Sequence, residues 1–143
     1  MGTRFVASHE AWIHDVYKRR VVDSRAEDTV LVPDLFDVWW PNAPHRVLRN
    51  RIVQEWEAAG RPPPGERPGE GVPIGHRRLP GGDVFEWPRY AVGMVSPDFD
   101  GDPDDAPMWA GTSVGEVHDI KTAAEIVGDL VREAEAALSE QGS

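Results

Sequence analysis

A proline- and glycine-rich segment separates the two apolar parts of this chain. Residues 60–82 read GRPPPGERPGEGVPIGHRRLPGG, whereas the apolar residues of the 143-residue protein cluster in its first 60 and last 40 positions. Proline removes a backbone donor and glycine is entropically costly to order, so this composition cannot nucleate a helix or a sheet. We expect an extended strap, disordered or laid across a partner surface, that adds little to the core. A polyproline recognition peptide is the alternative, but the proline spacing fits such ligands poorly.

The segment divides the chain into three parts. Residues 1–59 contain the predicted strands and two helices, residues 60–106 form a Pro/Gly-rich and acidic extended segment, and residues 107–143 hold a short motif and an amphipathic helix. One stray strand, a small antiparallel hairpin, a few helices and long loops together indicate a loop-rich α+β fold. About three helices and one short β-hairpin are expected.

The first elements are a short strand and a helix. Gly2–Ala7 reads as a β-like run with Phe5 and Val6 as apolar members, and it is too short to stand alone. We therefore expect an orphan strand. From His9 to about Val22, apolar residues recur at helical spacing, which predicts an amphipathic helix.

A hairpin and a second helix follow. Thr29–Val32 and His45–Leu48 are β-branched or apolar runs, which predict two short strands. The long loop between them carries Phe36, Trp39 and Trp40. Arg49–Ala59 predicts a helix that ends at Gly60, since a glycine commonly terminates a helix.

The last helix has the clearest pattern. Thr122 and Glu125 have capping-box spacing, and apolar residues recur at helical intervals after them. We predict a helix from about residue 121 to 139, with an ordinary solvated acidic face opposite its apolar stripe. The stripe comprises Ile120, Ala123, Ala124, Val127, Leu130, Val131, Ala134 and Leu138.

The composition excludes several kinds of partner. Fifteen Lys and Arg against 25 Asp and Glu give a formal net charge of -10, which repels nucleic acid and anionic lipid. The chain has no cysteine, so disulfides and zinc-thiolate sites are excluded. No apolar run approaches the ~20 residues that span a bilayer. We expect a cytoplasmic protein with no nucleic acid, membrane or metal partner.

Few residues suggest chemistry. The five histidines do not fall at metal-ligand spacing, and we expect surface or loop positions for His9, His14, His45, His76 and His118. The acidic run Asp98–Asp105 resembles a calcium loop at first. Pro103 stands where that loop needs glycine and Trp109 where it needs glutamate, so a solvated acidic loop is the better interpretation.

One motif could hold a cofactor. Gly2 and Thr3 could present backbone N–H groups and a hydroxyl to a phosphate. A glycine and a threonine alone are a weak signal. Their weight depends on the rest of the chain.

Three stretches in order supply that context. MGTRFVAS, then PNAPHRVLRNRIVQEWEAAGRPPPGERPGEG, then MWAGTSVGEVHDIKTAAEIVGDLVREAEAAL resemble the C-terminal part of nitronate monooxygenases, formerly called 2-nitropropane dioxygenases. The family implies an FMN-binding (β/α)8 barrel whose members oxidise alkyl nitronates with dioxygen. Such a barrel needs ~250 residues. The resemblance therefore implies a C-terminal fragment without the catalytic barrel, and residues 2–7 align with the eighth barrel strand.

The resemblance also implies site residues. It places Gly2 and Thr3 at the FMN phosphate, with Met1 beside them, and it gives none of the five histidines a catalytic role. The family often has glutamine where this chain has Thr112, which puts the specificity in doubt. We therefore expect a truncated nitronate monooxygenase-like protein that is inactive and binds no FMN by itself. The alternatives are a non-catalytic association module and the tail of a related flavin-dependent enoyl-acyl-carrier-protein reductase.

The C-terminal helix is the predicted contact surface. Without a barrel its apolar stripe has to pack elsewhere in the chain or against another molecule. We expect self-association or binding to a barrel partner through this helix.

Overall fold

The computed structural model describes residues 1–141 as a mixed helix and strand fold. Within that range, Thr29–Val32 and His45–Leu48 form an antiparallel pair, a second antiparallel sheet has Pro73–Arg78 between Val84–Pro88 and Phe99–Gly101, and neither sheet closes into a barrel. The helices are α1 (Gly2–Val6), α2 (Asp15–Asp23), α3 (Arg51–Ala58) and α4 (Ala123–Gln141). The strands are β1 (Thr29–Val32), β2 (His45–Leu48), β3 (Pro73–Arg78), β4 (Val84–Pro88) and β5 (Phe99–Gly101).

The expected orphan strand at Gly2–Ala7 is wrong, because Gly2–Val6 forms the short helix α1. Within the described residues no strand lies alongside it, so its backbone groups pair locally. The N–H groups of Arg4 and Phe5 donate to the Met1 carbonyl at 3.0 and 3.4 Å. Backbone N–H and C=O groups need hydrogen-bond partners, and a helical turn supplies them without a neighbouring strand.

The predicted helix at His9–Val22 exists but begins later, at Asp15. His14 caps it, since its Nδ1 accepts a hydrogen bond from the Val16 N–H at 3.2 Å. The buried Tyr17 and Val21 then face a core cluster formed with Leu48, Met108 and others. The Tyr17 hydroxyl donates to the Trp109 carbonyl at 2.5 Å, and burial raises the pKa of that phenol.

The predicted hairpin strands and the helix after them are confirmed. β1 pairs with β2 from Thr29 opposite Leu48 to Val32 opposite His45. Asn50 caps α3 by accepting the Val53 N–H at 3.1 Å. One face of α3 is buried in a second cluster with β1 and β2. Its buried members are Ile52, Val53 and Trp56.

The middle of the chain contributes more to the core than its composition predicted. β3 lies inside the Pro/Gly-rich segment and pairs on both sides, with β4 and β5. Gly75 makes this possible, because an added Cβ would lie 2.5 Å from the Asp100 carbonyl and 2.6 Å from the Phe99 ring. Phe99 and Trp87 belong to a third buried cluster, and their rings meet edge to face at 6.0 Å.

Arg67 holds the part of the Pro/Gly-rich segment that precedes β3 against the rest of the protein. Its side chain is 2% exposed and forms ion pairs with Asp37 and Glu70. It also donates to the Leu35 carbonyl at 2.8 Å and lies 4.4 Å from the centre of the Tyr90 ring. The segment is therefore held by a buried charge network that composition alone does not reveal.

The prediction of a solvated acidic loop at Asp98–Asp105 is correct only in part: Asp98, Asp100 and Asp102 are exposed, but the run also contains β5 and is tied to two helices by ion pairs. Arg51 at the start of α3 forms ion pairs with Asp102 at 2.8 Å and Asp105 at 2.7 Å. Arg20 on α2 pairs with Asp104 at 3.1 Å. These contacts tie α2 and α3 to the loop.

The capping box of the last helix is confirmed. The Glu125 carboxylate accepts from the Thr122 N–H at 2.8 Å, and the Thr122 hydroxyl accepts from the Glu125 N–H at 3.2 Å. The side of α4 that is buried differs from the predicted stripe, because Ile126 is 1% exposed whereas Val127 and Val131 are about half exposed. None of the described helices combines the length and apolar character needed to cross a membrane.

Candidate functional site

The predicted cofactor residues lie on α1, which is fixed against the C-terminal part of the chain. The Thr3 hydroxyl accepts a hydrogen bond from the Gly111 N–H at 3.0 Å. The Arg4 guanidinium donates to the carbonyl of Asp119 at 2.7 Å and to its carboxylate at 2.6 Å. Gly2 is exposed, and an added Cβ there would meet nothing within 4 Å.

A cleft of about 350 Å³ lies beside these residues. Its lining comes from Met1 and Arg4, from six residues between Ser113 and Lys121, and from α4. Val117, Ile126 and Leu130 supply apolar surface. The cleft thus lies between residues of α1 and α4 and is partly apolar.

Carboxylates outnumber cations around the cleft. Arg4 and Lys121 face Glu116, Asp119, Asp129 and Glu133. Lys121 pairs with Asp129 at 2.9 Å and with Asp119 at 3.1 Å, and hydrogen bonding to Asp129 raises the pKa of its ammonium group. The same hydrogen bond lowers the pKa of the Asp129 carboxyl. Both cations are therefore already neutralised by neighbours.

Gly2 and Thr3 fit one corner of a phosphate site and no more. They begin α1, where N–H groups have no acceptor within the helix, and the Thr3 hydroxyl can still donate a hydrogen bond. Against this, the surrounding carboxylates repel a phosphate. The residues suit a phosphate contact only if further donors come from outside the described chain.

The five histidines occupy separate places. His9 and His118 are exposed, His14 caps α2, and His76 Nε2 lies 3.0 Å from the Asp100 carboxylate. His45 packs edge-on against Trp109 at 5.9 Å, and its buried Nε2 has no hydrogen-bond partner. Among residues 1–141, no three His, Asp or Glu side chains are grouped so as to hold a metal ion.

Sequence reasoning did not join the two motifs that the structure brings together. Thr3 and Gly111 are 108 residues apart, and Arg4 and Asp119 are 115 apart. The Trp109–Ser113 stretch also adds to the hairpin, since Trp109 forms an antiparallel bridge with Val47 and the Ala110 N–H donates to the Arg46 carbonyl at 3.2 Å. No local pattern signals contacts over such separations.

The comparison with protein families settles the relationship. The sequence profile of the nitronate monooxygenase family matches residues 1–133, which is nearly the whole chain. The chain belongs to this family. The match includes α1, the hairpin, the Pro/Gly-rich segment and most of α4, so the nitronate monooxygenase resemblance extends across all three parts of the protein.

Solved structures share the fold. FabK from Thermotoga maritima is 24% identical, with a TM-score of 0.60, and the match covers 99% of this chain and 38% of that chain. A point mutant of FabK from the same organism is 22% identical, with a TM-score of 0.55, and is covered over 34% of its chain. This family member therefore spans little more than a third of the structures it resembles. No curated protein sequence matches it significantly.

Proposed function

We propose that this chain is the C-terminal portion of an FMN-dependent oxidoreductase that oxidises alkyl nitronates with dioxygen, and that it does no chemistry alone. The family match over residues 1–133 carries the proposal. The match covers only 34–38% of the FabK chains, so most of each FabK chain has no counterpart in this protein. This limited coverage supports the proposal that the chain is a fragment. The other residues of the complete oxidoreductase, which this chain does not contain, would form the (β/α)8 barrel.

The proposed cofactor contact is small. Gly2 and Thr3 would hold the FMN phosphate, with Met1 beside them, while the barrel portion provides the other phosphate donors and encloses the ring. Bound FMN would take electrons from the nitronate and pass them to dioxygen. This chain's own part is to place two N–H groups and one hydroxyl, an arrangement that the Gly111 N–H supports by fixing Thr3.

Titration of the isolated chain with FMN, followed by flavin fluorescence, tests this division of the site. We expect binding no tighter than millimolar, because one corner of a phosphate site supplies few of the contacts that a flavin needs. Saturable micromolar binding would show that the chain holds a complete flavin site, and would overturn the fragment proposal.

The expected lack of activity has its own measurement. Oxygen consumption with propyl-2-nitronate and added FMN should equal that of a buffer-plus-FMN control, since no residue of this chain matches the family's catalytic histidine. General-base catalysis needs such a positioned group. Turnover above the control would show that a base is present and that the chain is an enzyme by itself.

Two other functions are alternatives to nitronate oxidation. The fold shared with FabK favours, as the alternative chemistry, flavin-dependent enoyl-acyl-carrier-protein reduction. In a non-catalytic module, the chain would bind a barrel partner or itself through α4. The colour of the purified chain separates an enzyme that holds flavin from a bare module, because a preparation with bound flavin is yellow and a bare module is colourless.

A further inference from the structure

Asp119 pairs with two cations of the cleft. One of its carboxylate oxygens lies 2.6 Å from the Arg4 guanidinium, and the other lies 3.1 Å from the Lys121 ammonium. Lys121 has a second carboxylate partner, Asp129, at 2.9 Å. Within residues 1–141, the ion pair of Arg4 is with Asp119 alone. The charge of Arg4 is therefore neutralised by one residue, whereas that of Lys121 is shared between two.

Arg4 follows directly on the proposed phosphate contact at Gly2 and Thr3. Side chains of a helix lean towards its N-terminus, so the guanidinium of Arg4 is directed to the end of α1 at which Gly2 and Thr3 lie. Arg4 lines the cleft beside Met1, which agrees with this direction. A phosphate held by Thr3 would therefore have the guanidinium of Arg4 as its neighbour.

The Asp119 carboxylate already occupies that guanidinium. Carboxylates and phosphates both pair with the planar donor fork of arginine. Asp119 is also held in place by a second contact, since the guanidinium donates to the Asp119 backbone carbonyl at 2.7 Å. We propose that Asp119 is an internal competitor at the phosphate contact: it neutralises Arg4, and a phosphate monoester gains this cation only by displacing the Asp119 carboxylate.

This role of Asp119 rests on the proposed contact of Gly2 and Thr3 with the FMN phosphate, and it adds the residue that limits the strength of the contact. Nitronate chemistry takes no part in it. Phosphate binding and oxygen consumption are measured separately, so the role of Asp119 and the proposed activity can fail independently.

Titration of the full chain with inorganic phosphate tests the competition. The amide NMR signal of Gly111 reports binding, because its N–H donates to the Thr3 hydroxyl at 3.0 Å. Asp119→Asn should bind phosphate at least about fivefold more tightly than the unmodified chain at low ionic strength, where charges are little screened. Asp119→Ser should give the same gain. Both variants keep the backbone carbonyl that holds Arg4, so they change its charge balance more than its position.

A second substitution shows whether Arg4 is the source of the gain. Arg4→Gln in the otherwise unmodified chain should change the phosphate affinity by less than about twofold, because the charge it removes is already neutralised. The same substitution in the Asp119→Asn background should abolish the fivefold gain. Such non-additivity is expected of two residues that act through each other.

Glu116→Gln is the matched charge control. Glu116 also lines the cleft, but it has no ionic partner within residues 1–141. Its loss changes the net charge by the same amount without releasing a cation, so phosphate binding should strengthen by less than about twofold. Circular dichroism, and the Gly111 amide signal before phosphate is added, confirm that each variant is folded.

Flavins distinguish a phosphate monoester from a free phosphate. FMN carries the monoester and riboflavin lacks it, so Asp119→Asn should strengthen FMN binding and leave riboflavin binding unchanged. A gain with inorganic phosphate but none with FMN would overturn the assignment of this contact to the cofactor.

Three further results would overturn the proposal. Unchanged phosphate affinity in Asp119→Asn would show that the carboxylate does not compete. Equal gains in Asp119→Asn and Glu116→Gln would show a general effect of net charge. A gain that survives Arg4→Gln would show that Arg4 is not the cation that Asp119 neutralises against phosphate.

Discussion

At the scale of single residues, the buried Arg67 decides how the Pro/Gly-rich segment is held. It lies among prolines and glycines, where composition predicts only an extended chain, yet its side chain is almost fully buried between Asp37, Glu70 and Tyr90. The i,i+3 pair with Glu70 is visible in the sequence. The pair with Asp37, 30 residues away, is not.

We expect Arg67→Met to lower the free energy of unfolding by about 3–5 kcal/mol, because it leaves two partly buried carboxylates without their cation. Arg61→Met is the matched control. Arg61 is 58% exposed and pairs with Glu57, so its loss should cost about 1 kcal/mol or less. Urea unfolding followed by tryptophan fluorescence measures both. Equal costs would contradict the role given to Arg67.

Gly75 is the second residue on which the middle of the chain depends. Gly75→Ala should destabilise the protein by about 1–3 kcal/mol, since the new methyl group collides with the backbone of β5. Gly81→Ala is the control, because its Cβ would meet only the Asp83 carboxylate at 3.9 Å. The same urea unfolding experiment compares the two variants. If Gly75→Ala leaves the free energy of unfolding unchanged, β5 can move aside to make room for the methyl group.

At the scale of elements, the sequence was most informative where the signal is local. The Thr122–Glu125 capping box and the helical spacing after it place the start of α4 to within two residues. They do not say which side meets the body, because Ile126 and Val127 are equally apolar neighbours. α1 shows the opposite case. Phe5 and Val6 favour a strand, but a strand forms only beside another, and that is a tertiary property.

The orientation of α4 gives a direct comparison. Ile126→Ala should cost about 2–4 kcal/mol, because it empties a fully buried position. Val131→Ala, on the exposed side of α4, should cost less than about 1 kcal/mol. Thermal unfolding by circular dichroism reports both, and the reverse order would mean that α4 is rotated from the position described.

At the scale of the whole molecule, the acidic composition is organised into hydrogen bonds and ion pairs. A backbone hydrogen bond from Asp104 and the side chain of Arg51 lower the pKa of Asp102. Hydrogen bonding to Arg67 lowers the pKa of Glu70. Charge counts alone do not show these partners. The three clusters of buried residues likewise include the middle of the chain, which the distribution of apolar residues did not predict.

These depressed pKa values predict the pH dependence of stability. The ordinary pKa values are 3.8 for Asp and 4.5 for Glu. A carboxyl whose folded pKa is lower than its unfolded one stabilises the protein above that range. Its contribution is lost as pH falls through the folded value. Urea midpoints should change little from about pH 7 to 5.5 and fall between about pH 5 and 3. Arg67→Met should flatten that fall, and an unchanged slope would exclude Glu70 as a contributor.

The hydrogen bonds of Thr3 with Gly111 and of Arg4 with Asp119 also determine when α1 can form. A five-residue helix is unstable by itself, because the conformational entropy lost in forming the first turn exceeds the free energy gained from its one or two hydrogen bonds. Its stabilising contacts lie 108 and 115 residues away, so the intervening chain must be closed into a loop before they form. During synthesis, α1 leaves the ribosome long before Gly111 and Asp119 do. It remains a coil until they emerge, so α1 acquires its structure only after residues 111–121 have been made.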